Sequence, residues 1–96
     1  MAASSQRSVS IEIRAPLRRE DLPGLFERTR VLLAQCAAGE LRCEVAGVDA
    51  DGVAVDALAR LALTARRRRC SVLLCGASQE LLELVALVGL DEVLRS

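Results

Sequence analysis

Two stretches of the chain alternate apolar and polar residues at the period of a half-covered strand. From Ser8 to Ile13, Val9, Ile11 and Ile13 fall on one face and Ser8, Ser10 and Glu12 on the other. From Glu40 to Val48, Leu41, Cys43 and Val45 alternate with Arg42 and Glu44, and Gly47 lets the chain bend into the turn Val48-Asp49-Ala50-Asp51-Gly52. A third stretch, Cys70 to Gly76, carries Val72, Leu73, Leu74 and Cys75 consecutively, which predicts a central strand covered on both faces.

The segments between them repeat at helical spacing. Leu25, Phe26, Thr29, Leu32, Leu33 and Cys36 share a face; Asp21 before Leu22-Pro23 offers a cap, and Gly39 a left-handed stop. From Gly52 to about Arg69, Val55, Leu58, Leu61, Ala62 and Ala65 form a stripe, with Asp49 or Asp51 to cap its start. Acid at the head of this segment and arginine at its tail both suit the helix dipole. Ser78, with Glu80 and Glu83 following, opens a last helix whose Leu81, Leu84, Val85 and Val88 point inward before Gly89 ends it; Leu82 and Leu87 fall off that stripe. Strand and helix therefore alternate three times. The expected class is α/β, a small, largely parallel or mixed sheet with alternating helices. Residues 8–96 read as one domain behind a short polar tail, residues 1–7, expected to be flexible.

Composition narrows what such a domain can do. The chain has 96 residues and a single aromatic, Phe26, so its interior is built from Leu, Val and Ala, and base stacking and aromatic cages are out of reach. Thirteen acids balance thirteen bases, all of them Arg, leaving no global field to attract nucleic acid. The Arg bias, with no Lys, His or Asn, points to a source with a GC-rich genome. No secretory leader and no apolar run of about 18 residues is visible, so a cytoplasmic location without membrane insertion is expected.

Candidate chemistry is sparse. Asp49, Asp51 and Asp56 are hard-ion donors, but the plainer reading is that two of them cap a helix and the third is solvated, so no metal site is expected. The run Arg66 to Arg69 splays around a helix end, because residues one apart do not share a face, and reads as a solvated cap rather than a phosphate grip. Cys36, Cys43, Cys70 and Cys75 match no Cys-x-x-Cys spacing, and with no His to complete a zinc site or activate a thiol they read as buried, reduced hydrophobes. Neither a catalytic group nor a cofactor is expected.

Several local patterns now combine. The order of elements, Leu41-Arg42-Cys43-Glu44-Val45, Asp51-Gly52-Val53 opening a helix, Leu73-Leu74-Cys75-Gly76-Ala77-Ser78, and Gly89-Leu90 with Val93-Leu94 together resemble a STAS domain, the family of anti-sigma-factor antagonists and sulfate-transporter tails. The resemblance spans about residues 9 to 94, with Arg14 to Pro23 similar to the family's first strand running through a Pro-containing loop into its first helix. In the antagonists, an Asp-Ser-Ser-Gly-like turn heads the helix after the central strand, and its first Ser is phosphorylated by a kinase that is also the anti-sigma factor. Counting back from Ser78 places Asp51 at the motif's Asp, Gly52 at the phosphoacceptor and Val53 at the second Ser. A shift of one or two positions restores no acceptor, so no phosphorylation site is expected there.

The resemblance implies a free-standing, non-enzymatic regulatory module. Its partner would be a protein such as a serine-kinase-type anti-sigma factor, held by Asp49, Asp51, Gly52, Val53, Asp56 and Arg60. Two other classes stay open: an accessory STAS subunit of a membrane lipid-transport ABC complex, and a small-ligand sensor with a groove near the same turn. The N terminus is short beside members that open with a strand pair, so an edge strand is expected to be absent and a homodimer is possible.

Overall fold

The computed structural model describes residues 8–35 and 39–95. The expected flexible tail and the helical placement of Cys36 fall outside them. The elements are β1 (Ser8–Glu12), a 3₁₀ turn (Arg19–Asp21), α1 (Leu22–Ala34), β2 (Glu40–Glu44), α2 (Gly52–Arg67), β3 (Ser71–Cys75), α3 (Gln79–Leu87), a second 3₁₀ turn (Leu90–Glu92) and β4 (Leu94–Arg95). The α/β class and the strand-helix alternation are as expected.

The four strands lie in the order β1-β2-β3-β4 and every pair is parallel, with Ser10, Arg42 and Leu73 in line across the first three. Strands added one after another by crossovers of the same hand leave all the connecting helices on the same face of the sheet. Burial agrees: Val9, Ile11, Leu41, Cys43, Val72 and Leu74 are buried, while Ser8, Ser10, Glu12, Arg42, Glu44 and Ser71 are exposed and Leu73 and Cys75 only half-buried. This corrects the expectation for β3. It lies inside the sheet but is covered on one face, so its run of four apolar residues does not mark two-sided burial.

One core therefore fills the space between sheet and helices. Leu25 and Leu33 of α1, Ala54, Ala57, Leu58, Leu61, Ala62 and Ala65 of α2, and Leu81 and Val85 of α3 are buried against the strands. Alanine at 54, 57, 62 and 65 leaves room for α2 to lie close over the sheet. Thr29 is the single buried polar residue among those described, and its hydroxyl is satisfied by donating to the Leu25 carbonyl at 2.9 Å. In α3, Leu84 is half-buried and Val88 is exposed, so the inward stripe is narrower than the spacing predicts. Leu82 instead packs partly against the core and Leu87 is exposed.

Helix ends follow the local chemistry with two departures. α1 stops at Ala34 with Gln35 as its cap in right-handed conformation, so Gly39 is not the stop; its carbonyl accepts from the Ser71 amide at 2.9 Å. Asp21 does not cap α1 with its side chain. Its carboxylate accepts instead from the Arg18 amide at 3.0 Å and closes the preceding 3₁₀ turn.

The C terminus of α2 has a full Schellman arrangement. The Cys70 amide reaches the Ala65 carbonyl at 2.8 Å and the Arg69 amide the Arg66 carbonyl at 3.0 Å, with Ala65 and Cys70 both buried beneath. The left-handed position is Arg69, at φ 59°, where glycine is the usual occupant. Arg69→Gly is expected to raise unfolding stability by about 1 kcal/mol, since an L-residue is strained in that conformation. A shift of the urea midpoint to higher concentration at constant slope would show it; an unchanged midpoint would mean that the Arg69 side chain offsets the strain.

Candidate functional site

The carboxyl ends of β2 and β3 carry two turns that touch. Gly47, at φ 81°, sits in a turn closed by the Val48 amide on the Val45 carbonyl at 3.1 Å. Gly76, at φ 76°, leaves β3 so close to its neighbour that a Cβ there would lie 3.3 Å from Ala46 Cβ and 3.5 Å from Ala46 N. The exit of β3 thus abuts the start of the 46–52 segment at Ala46.

From this turn Asp51 enters α2 as its cap. Its Oδ1 accepts from the Ala54 amide at 2.9 Å, while its backbone stays extended at φ −135°. Asp49 is exposed, and no hydrogen bond or ion pair of its carboxylate is found among the described residues. Gly52, the first helical residue, is exposed, and a methyl group on its Cα would meet nothing within 4 Å, so a side chain would be accommodated there. Val53 is half-buried and leans on the core, which makes it a poor contact for a partner.

Asp56 is not a simply solvated acid. One oxygen accepts from Arg60 Nε at 3.1 Å and the other from Arg19 Nη1 at 3.3 Å, with 29% of the side chain exposed. The Arg60 guanidinium carbon in turn lies 5.5 Å from the centre of the Phe26 ring on α1. Asp56 therefore ties the turn before α1 to the flank of α2, and Arg60 is held between carboxylate and ring. Each such exposed pair is worth only about 0.2 to 1 kcal/mol, so the cluster orients this surface more than it stabilises the fold.

The three aspartates do not converge. Asp51 turns back onto its own helix, and Asp56 lies five residues on, roughly 140° around the helix from it. No group of three or more His, Cys, Asp or Glu able to hold a metal is found among the described residues. The surface divides into an open acidic tip, Asp49 to Gly52, and an ion-paired flank, Arg19, Asp56 and Arg60. Arg19 and the ring contact of Phe26 are additions that sequence spacing does not supply, because Arg19 is 37 positions from Asp56.

Other candidates settle into structural roles. Arg66, Arg67, Arg68 and Arg69 are all exposed around the end of α2. The Ser78 hydroxyl caps α3 by accepting from the Leu81 amide at 3.1 Å, and the Thr64 hydroxyl donates to the Arg60 carbonyl at 2.9 Å. Cys43 and Cys70 are buried and Cys75 is half-buried; the Cys70 thiol donates to the Arg68 carbonyl at 3.5 Å. Burial, with Cys75 and Glu44 nearby, pushes the Cys43 thiol up to about 12, so it is no nucleophile. A groove of about 910 Å³ runs between β1 and α1 and not beside the Asp49–Gly52 turn, where the sequence suggests a small-ligand site. No helix among the described residues is long and apolar enough to cross a membrane.

No protein-family model matches the chain, and a comparison with curated proteins finds no match. The geometry of the chain itself is what bears on function.

Proposed function

We propose that the chain is a STAS-like, non-catalytic binding module that presents the head of α2 to a signalling protein, a serine-kinase-type anti-sigma factor in the reading the sequence resemblance favours. The observation that carries the proposal is the acidic tip itself: Asp49 and Gly52 stand exposed on a segment that Gly76 abuts at Ala46 and that the Asp51 cap joins to α2. A tip anchored at both ends has less conformational freedom to lose on docking, which favours recognition by shape and charge. The flank of Arg19, Asp56 and Arg60 adds groups of both signs beside it.

Gly52 gives the proposal its regulatory content. A phosphate at this helix head would add about two negative charges and up to three acceptor oxygens. With glycine there, and with no Ser or Thr between Asp49 and Val53, the tip keeps one charge state whatever kinase it meets. Such a module would act through its abundance or its partner's state.

The test has to spare the cap. Asp51→Arg would remove the acceptor of the Ala54 amide and cost about 1 kcal/mol of stability, mixing folding with binding. Asp49→Arg alters charge at an exposed position. Affinity capture from a lysate of the source organism, followed by titration of the captured protein, is expected to recover a kinase-type anti-sigma factor that binds Asp49→Arg at least tenfold more weakly. Equal binding by both forms would remove the tip from the interface. A transporter ATPase in the eluate would replace this reading with that of a complex subunit.

A further inference from the structure

β1 is the edge strand of the sheet, and its outer side has no partner among the described residues. The bond from the Ile13 amide to the Glu44 carbonyl, at 2.9 Å, fixes which backbone groups point where. Residues of the same parity as Ile13, namely Val9 and Ile11, aim their N–H and C=O groups at β2. Those of Ser8, Ser10 and Glu12 therefore point away from the sheet. The groove of about 910 Å³ lies along this side, floored by Ser10, Ile11 and Glu12 and walled by Gly24, Arg28 and Val31 of α1. Native sheets usually blunt such an edge by charge, proline, a bulge or very short strands. β4, at two residues, is short; β1, at five, carries a single charge, Glu12.

We propose that this edge pairs with the same edge of a second copy of the chain, antiparallel about a two-fold axis at Ser10, to make one continuous eight-stranded sheet. This proposal does not rest on the α2 surface.

The register is self-complementary. Centring on Ser10 sets Ser8 opposite Glu12 of the second copy, Val9 opposite its Ile11, and Ser10 opposite its Ser10. The three outward-pointing residues then meet outward-pointing residues. Each such pair exchanges two hydrogen bonds, so all three free N–H and all three free C=O groups of each copy are satisfied.

Side chains agree with this pairing. Val9 and Ile11, buried beneath the helices in one copy, continue as an apolar row into the next. On the open face, Ser8 donates to Glu12 across the axis. Above the row, Gly24, Arg28 and Val31 lie at helical spacing along the groove side of α1, and Val31 is 50% exposed. The two copies of α1 run antiparallel, which brings the exposed Val31 of each toward the groove side of the other. Groove charges are mixed, with Arg14 and Arg28 beside Glu12, Glu20 and Asp21, which suits a second copy better than a strongly charged peptide.

Multi-angle light scattering of the full chain at about 100 μM is the test, with circular dichroism confirming that each variant folds. The wild type is expected at twice the 10.3 kDa chain mass. Ser10→Glu puts like charges directly across the axis without touching the monomer core, and is expected at the single-chain mass. Mixing Ser10→Glu with Ser10→Lys is expected to restore the double mass. Ser10→Pro removes an outward N–H that β2 does not use, and is also expected to give single chains. A wild type of single-chain mass overturns the proposal, and so does a dimer that survives both Ser10→Glu and Ser10→Pro.

Discussion

Leu41→Ala is expected to lower the unfolding free energy by about 3 kcal/mol, whereas Leu73→Ala lowers it by less than about 1 kcal/mol. Both residues are leucines of interior strands, and they differ in which face of the sheet they occupy. Leu41 is fully buried at the centre of the layer between sheet and helices, where truncation leaves a cavity that close-packed neighbours cannot fill. Leu73 points to the open face, half-buried between Arg42 and the backbone of Arg95 in the strand register. A chain of this size has only about 5 to 15 kcal/mol of total stability, so Leu41→Ala removes a large fraction of it. Urea melts of the two variants check the contrast. Equal large losses would mean that the second face of the sheet is also covered in the folded protein, and that the core has two layers.

That contrast marks where sequence reasoning reaches its limit. Period-two alternation locates β1 and β2 and assigns their faces correctly, because one side of each strand is polar. In β3 the same physics is hidden: Leu73 and Cys75 are apolar although they face outward, so the run looks two-sided. Only the strand order, set by pairing between segments some 30 residues apart, shows that the helices share a face. β4 escapes the residue patterns since two residues, Leu94 and Arg95, carry no period. At the candidate site, Asp51 is legible as a cap because capping is local. The Asp56 pairing with Arg19 is not, because tertiary packing brings the two together. Gly39 fails as a helix stop for a related reason: glycine permits a left-handed turn but does not require one.

Raising the pH from 8 to 10.5 is expected to cost about 2 kcal/mol of stability through Cys43 alone. Buried in the middle of β2, its thiol is pushed up from 9.0 to about 12, chiefly by desolvation and secondarily by the nearby Cys75 and Glu44. The unfolded chain loses that proton near 9, while the folded protein keeps it until about 12. Stability from this residue is therefore complete below pH 9 and declines as the pH rises from 9 toward 12. The chain has neither Lys nor Tyr to titrate in that window, and the comparison with a variant lacking the Cys43 thiol isolates its contribution. Cys43→Ala removes the proton and is expected to flatten most of the decline, with a lower stability at pH 7 from the lost sulfur contacts. Urea midpoints at pH 7, 8, 9, 10 and 10.5 for both forms give the comparison. Parallel slopes for the two would mean that Cys43 is hydrated when folded, and the core between β2 and α2 would have to be more open than the packing of Leu41, Cys43 and Leu58 requires.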